Sequence, residues 1–167
     1  MTVLYDVKPF TANRYVNAAL AGWRLGVLET LQSGPAFTVV TAANATNAFS
    51  AGPNRANLAG EPGLPSDQRT LSHWFNTAAF ASPAQYTFGN SPRSVLRGPG
   101  LATTDLSVEK SLALTSTAKL DVRAEAYNLL NRTNLNLPGF TLGAADFGAI
   151  SSARPPRTMQ LSARFSF

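Results

Sequence analysis

Apolar and polar residues alternate position by position in several segments of this chain, and the clearest case is "RTMQLSARFSF", residues 157–167. Counting back from Phe167 to Met159, every second residue is apolar, and the residues between, down to Thr158, are Ser, Arg, Gln and Thr. A period of two is that of a β-strand with one apolar and one polar face. Because chain ends usually fray in water, we expect a partner to hold an end whose apolar face finishes on an aromatic residue.

Four earlier segments alternate in the same way, at residues 2–7, 22–32, 104–114 and 119–130, and helical spacing of three and four residues is nearly absent. The sequence therefore predicts an all-β fold, an antiparallel meander of about five strands. Six apolar residues are predicted to share its outward face: Leu106, Val108, Leu120, Val122, Leu161 and Phe165.

Long and short connections alternate along this predicted meander. Residues 42–100 and 131–156 are two long connections, whereas "TST", residues 115–117, is a tight turn. Barrels of the bacterial outer membrane have long extracellular loops, short periplasmic turns, and strands that are apolar outward and polar inward. The pattern therefore predicts a sector of a large transmembrane β-barrel with long extracellular loops. Charged residues make up only 14% of the chain, against about 25% in soluble domains, which agrees with a lipid-facing surface.

Five motifs carry a resemblance to one family. In chain order they are "GWRLGVLETLQSGPAFTV" (22–39), "WFNTAAF" (74–80), "FGNSPRSVLRGPG" (88–100), "RAEAYNLLNRTN" (123–134) and "FGAISSARPPRTMQL" (147–161). Together they resemble the C-terminal barrel region of TonB-dependent receptors of the Oar-like type, over nearly the whole chain. The resemblance implies the outer membrane of a Gram-negative bacterium and the uptake of an unidentified solute.

The same resemblance implies the partners of the chain. They are the outer-membrane lipid, the plug and the remaining barrel strands of a full-length receptor, and TonB, which acts through the missing N-terminal part. A signal sequence, a carboxypeptidase-regulatory-like domain and a plug precede the barrel in this family. Residues 1–167 match only the C-terminal part of the barrel, so we expect a fragment. The final strand resembles the signal read by the barrel-assembly machinery, carried here by Met159, Leu161, Ala163, Phe165 and Phe167.

Charged side chains mark the polar face of the fourth predicted strand. Asp121, Arg123 and Glu125 stand at i, i+2 and i+4, so they share a face and opposite charges can pair within the barrel lumen. Such a network either contacts the plug or lines a polar path for a solute. Glu29 interrupts the apolar face of the second predicted strand, and we expect it near a membrane boundary, where a charge costs less.

The first long connection contains the aromatic residues Trp74, Phe75 and Phe80. Aromatic rings in a long loop can stack on a sugar or peptide, which makes these three candidate ligand-binding residues. They can equally pack the loop against itself. The residue types alone leave both interpretations open.

The sequence contains none of the usual motifs of enzymes. The chain has no cysteine and a single histidine, His73, whose candidate triad partners are Ser72 and Asp67. With no zinc, hydrolase or phosphate-binding motif, we expect no catalytic residue, no metal and no cofactor. The basic residues are scattered, so we expect no nucleic-acid partner. The alternative to the membrane interpretation is a soluble, secreted β-sandwich that binds carbohydrate.

Overall fold

The computed structural model describes residues 1–47 and 54–167, except the side chains of Arg14 and Ala18. It consists of two compact units. The sheet unit comprises Met1–Gln32, Leu101–Thr133 and Pro155–Phe167, and the loop unit comprises Ser33–Gly100 and Asn134–Arg154. None of the helices in this described part of the chain is long and apolar enough to span a membrane.

Strands account for almost all of the regular structure. In chain order they are β1 (Thr2–Asp6), β2 (Trp23–Gln32), β3 (Ala36–Phe37), β4 (Val40–Thr41), β5 (Asn57–Leu58), β6 (Phe80–Ala81), β7 (Leu96–Arg97), β8 (Leu101–Ala113), β9 (Lys119–Tyr127), β10 (Thr141–Leu142) and β11 (Thr158–Ser166). The helical elements are α1 (Arg14–Leu20) and two 3-10 turns, Ser66–Gln68 and Thr77–Ala79. The prediction of an all-β chain is confirmed.

The sheet unit is a five-stranded antiparallel sheet in the order β1-β2-β8-β9-β11. Each long strand lies beside the next long strand in the sequence, so the predicted meander is confirmed. Strands β2, β8, β9 and β11 contain 10, 13, 9 and 9 residues. These lengths suit a tilted strand that crosses a bilayer, which takes about 9–11 residues.

Two strand boundaries differ by three residues from those predicted, and the others differ by at most one. β8 begins three residues earlier than the predicted residue 104, at Leu101, and β9 ends at Tyr127 instead of continuing to residue 130. Asn128 stops β9 because it adopts a positive φ of 51°, and its side-chain oxygen accepts a hydrogen bond from the Arg132 amide at 3.0 Å. This side-chain-to-backbone bond spans four residues and replaces strand pairing with a local bond.

The register separates the side chains into two faces. Two complete cross-strand rows are apolar: Val3, Val27, Leu106, Ala126 and Met159, and Tyr5, Leu25, Val108, Ala124 and Leu161. Leu112, Leu120 and Phe165 continue the same face. The six residues predicted to face outward therefore share one face of the sheet.

This apolar face is open to its surroundings. Leu161 is 83% exposed, Met159 68% and Phe165 56%. In a soluble sandwich these side chains would be buried against a second sheet. Such an extent of exposed apolar surface needs a partner, so the sandwich alternative is not supported.

The loop unit has its own aromatic core, although residues 42–100 and 131–156 were expected to be connecting loops. Three small two-stranded sheets, β3–β7, β4–β10 and β5–β6, organise it. The buried apolar residues are Phe37, Val39, Ala56, Phe75, Ala79, Phe80 and Leu96, with Trp74, Leu142 and Phe147 packed against them. The long connections are therefore a folded unit. Its first piece begins earlier than expected, at Ser33, and its second piece is slightly shorter than expected, Asn134–Arg154.

Glu29 lies on the apolar face, opposite Thr104, just beyond the rows that all five strands share. Its carboxylate accepts a hydrogen bond from the Thr104 hydroxyl. Its backbone pairs with Met1, whose amino group donates to the Glu29 carbonyl at 2.8 Å. Glu29 thus lies on the apolar face with a hydroxyl partner, and its position near a membrane boundary stays a prediction.

Candidate functional site

The polar face of the sheet brings the charged side chains together. One complete cross-strand row consists of Asp6, Arg24, Glu109, Arg123 and Ser162. The next polar row toward the start of β1 consists of Leu4, Gly26, Ser107, Glu125 and Gln160. Charge alternates in sign along the first row, negative, positive, negative, positive, on four neighbouring strands. Opposite charges on adjacent strands stabilise the pairing of a sheet.

Direct contacts connect these rows. Arg24 Nε lies 2.9 Å from Asp6 Oδ1, which joins β1 to β2. Arg123 Nη2 lies 2.5 Å from Glu125 Oε1, and Gln160 Nε2 donates to the other oxygen of the same carboxylate. Glu125 therefore holds one partner on its own strand and one on β11.

Asp121 belongs to the same face but makes different contacts. Its carboxylate accepts a hydrogen bond from the Ser111 hydroxyl on β8, and Lys119 Nζ lies 3.4 Å from its other oxygen. The three predicted network residues are thus on one face, where Arg123 pairs with Glu125 and Asp121 pairs with Lys119.

The cations of this arrangement are exposed, and its carboxylates vary in exposure. The side chains of Arg24 and Asp6 are 59% and 67% exposed, whereas Arg123 is 49% exposed and its partner Glu125 only 13%. A pair as exposed as Arg24–Asp6 stabilises a fold only weakly, by about 0–1 kcal/mol. The hydrogen-bonding groups of the exposed side chains remain available to water or to a polar partner placed opposite this face.

Sequence reasoning missed part of this network. It did not name Asp6, Arg24, Glu109 and Gln160, although each occupies a polar position of an alternating strand. The alternation of polar and apolar residues was the only sequence signal that pointed to these positions. Which of these residues align across strands depends on register, which the alternation of one strand does not specify.

The predicted loop aromatics lie in or against the core of the loop unit. Phe75 is 1% exposed and Phe80 6%, and their ring centroids are 5.8 Å apart in an edge-on arrangement. Trp74 is half-buried, and its indole nitrogen donates to the Arg97 carbonyl at 3.0 Å. These contacts favour the interpretation that the rings pack the loop against itself.

His73 lies on the surface of the loop unit. Its Nδ1 is 3.1 Å from the hydroxyl of Ser72. Within residues 1–47 and 54–167, the structure contains no group of three His, Asp or Glu side chains that could hold a metal ion.

The residues predicted to form the assembly signal lie along the apolar face of β11. Phe167 is 95% exposed, and its ring centroid lies 5.8 Å from that of Phe165. Met159, Leu161 and Ala163 precede them on the same face, opposite Ala126, Ala124 and Val122 of β9. The only neighbour of β11 in the described sheet is β9, so its other edge is unpaired.

One comparison with known proteins gives a match. A family model described as "Outer membrane beta barrel domain" matches residues 1–160. No curated protein and no solved structure matches the chain significantly. The matched residues include β1, β2, β8 and β9 of the five-stranded sheet and the start of β11.

Proposed function

The chain belongs to the outer membrane beta barrel domain family. From the five motifs of its sequence, we propose that it is the C-terminal barrel segment of a TonB-dependent receptor of the Oar-like type. The family places the protein in the outer membrane of a Gram-negative bacterium. Its five-stranded sheet is a sector of the barrel, with the apolar rows against lipid and the polar rows toward the lumen. The proposed activity is uptake of a solute through that lumen.

The observation that carries this proposal is the row Asp6, Arg24, Glu109 and Arg123 on the lumen face. Exposed charges on an inner wall require water or a polar protein segment opposite them. A barrel filled only by its own side chains leaves no such space, whereas larger barrels enclose either a water-filled channel or, in outer-membrane transporters, a plug. The resemblance of the five motifs to TonB-dependent receptors favours the plug. The Arg24–Asp6 pair of this row and the Arg123–Glu125 pair that connects it to the next row suit reversible contact with a plug that moves.

The two unpaired edges of the sheet define the other proposed partners. In the described sheet, β1 pairs only with β2 and β11 only with β9. Unpaired backbone groups are too costly in hydrocarbon to remain open. We propose that the remaining strands of a full-length receptor cover both edges, that the barrel-assembly machinery inserts the closed barrel, and that TonB acts through the plug.

Cysteine labelling tests the orientation of the faces, because the chain has no cysteine of its own. Leu161→Cys and Ser162→Cys place a thiol on the apolar and the polar face of β11. In outer membranes, we expect a lipid-soluble maleimide to label position 161 and a charged maleimide to label position 162. Equal labelling of both positions by the charged reagent would contradict the barrel orientation.

A second measurement tests the TonB-dependent part by itself. In living cells, plug movement should change the rate at which the charged maleimide reaches Ser162→Cys. We expect this rate to fall when the gene for TonB is deleted, with unchanged protein in the outer membrane. Correct facing together with a rate that is insensitive to TonB would leave the barrel assignment standing and reject energised uptake.

A further inference from the structure

A cavity in the loop unit combines two cations with an exposed aromatic ring. Its volume is about 400 Å³, and it is lined by Thr38, Val40, Asn54, Arg55, Phe88, Gly89 and Arg93. Small-molecule sites are clefts of roughly 300–1,000 Å³ with a few convergent polar groups. The cavity is distinct from the ionic rows, which belong to the sheet unit.

Arg55 and Arg93 both line this cavity, and neither has a carboxylate partner among the described residues. Arg55 Nη1 donates to the Ser91 carbonyl at 2.7 Å, which fixes the side chain and leaves further N–H groups free to donate. Arg93 is exposed. Arginine prefers carboxylate and phosphate oxygens, which it can bind with two parallel hydrogen bonds.

Phe88 provides an apolar wall beside these cations. Its side chain is 70% exposed, unlike the buried rings of the core. Gly89, the next residue, packs so closely that an added Cβ would lie 2.0 Å from the Arg55 carbonyl oxygen. This close approach ties the backbone that carries Phe88 to the backbone that carries Arg55.

Hydrogen bonds hold the polar part of the wall in place. Asn54 is buried, and its side-chain nitrogen donates to Asn44 Oδ1 at 2.8 Å. The Thr38 hydroxyl accepts from the Ser94 amide at 2.8 Å. A wall whose side chains are already ordered loses little conformational entropy when a ligand binds.

We propose that this cavity binds a small oxyanion, a carboxylate or a phosphate, attached to a ring. The anion lies between Arg55 and Arg93, and the ring stacks on Phe88. A cavity of about 400 Å³ accommodates one ring with its anionic substituent. The site does not rest on energised uptake, because binding to the solubilised protein needs no TonB.

The test is saturation-transfer NMR on the full-length protein in detergent, with phenyl phosphate and glucuronate as anionic probes and phenol and glucose as their neutral counterparts. We expect each anionic probe to bind at least about tenfold more tightly than its neutral counterpart. Binding of phenyl phosphate alone would identify an aromatic phosphate, and binding of glucuronate alone a carboxylated sugar. Equal binding of anionic and neutral probes, or no binding of either anion at millimolar concentration, would overturn the proposal.

Three variants and one control variant test whether the anionic probe binds in this cavity. Arg93→Gln, Arg55→Gln and Phe88→Ala should each weaken the anionic probe by about tenfold or more. Arg154→Gln removes the same charge from the same unit outside the cavity and should leave binding unchanged. The Arg93 variant is decisive because its side chain is exposed and makes no hydrogen bond within residues 1–47 and 54–167. If Arg93→Gln and Arg154→Gln bind the probe equally, the site is wrong.

Discussion

Lys110 is a cation on the apolar face of the sheet, in the same row as Trp23 and Val122. It is nevertheless only 7% exposed. Its ammonium donates to the carbonyls of Ala19 at 2.7 Å and Ala21 at 3.2 Å, at the end of α1. The ammonium also lies 4.9 Å from the centre of the Trp23 ring. Helix-end carbonyls and an aromatic face offset the cost of removing the charge from water.

Lys110→Met should therefore destabilise the barrel even though it places an apolar side chain on an apolar face. The change leaves two carbonyls without this donor, at a cost of about 1–3 kcal/mol. The measurement is the temperature at which the folded protein loses its faster mobility in detergent gels, which should fall. Lys119→Met is the matched control, because Lys119 forms an exposed pair with Asp121 that stabilises little. Equal shifts in the two variants would contradict this assignment.

At the scale of the strand, neighbouring residues along β11 alternate between the face assigned to lipid and the face assigned to the lumen. Leu161 lies opposite Ala124 on the apolar face, and Gln160 lies opposite Glu125 on the polar face. We expect Leu161→Arg to lower the folded fraction strongly, since Arg facing the bilayer midplane costs about 2–4 kcal/mol. Gln160→Arg should fold normally, because it places the same group beside a carboxylate. Gel mobility before and after heating measures the folded fraction of both variants. A normal folded fraction for Leu161→Arg would show that this face does not contact lipid.

The aromatic pair at the far end of β11 gives a second prediction at this scale. Phe167→Ser should lower the amount of folded barrel in the outer membrane while synthesis stays unchanged, because an aromatic ring is favourable at the membrane interface. Ala163 contributes little apolar surface to hold this end, and Phe165 would lose its ring contact. Ser166→Ala, on the polar face, should have little effect. Equal folding of the two variants would reject the assembly-signal hypothesis.

At the scale of the whole molecule, the open sheet decides how the chain behaves alone. Strands β1 and β11 each have one unpaired edge in the described sheet. Exposed edges promote association between copies. Residues 1–167 produced alone in detergent should therefore oligomerise or aggregate, as measured by size-exclusion chromatography with light scattering. A monodisperse monomer in detergent-free buffer would contradict both the open edges and the lipid-facing assignment.

The sequence predicted those features that depend on neighbouring residues. The alternation within each strand is a local feature, so the sequence predicted the two faces of the sheet and the meander. The sequence did not predict the alignment of Arg24 with Glu109 and Arg123, because this alignment depends on pairing between distant segments. Helix α1 has seven residues, too few to show helical periodicity clearly. The burial of Phe75 was undetermined because core and ligand sites use the same aromatic residues.

The loop unit consists of two separate pieces of chain, Ser33–Gly100 and Asn134–Arg154, and its aromatic core takes rings from both. Phe75 from the first piece lies 5.3 Å from Phe147 of the second, centroid to centroid. Neither piece completes this core by itself. Over evolutionary time the two pieces should be inherited together. Recombination that exchanged one of them between related genes would mismatch the aromatic contacts, whereas recombination that exchanged both would carry an intact core into the new protein.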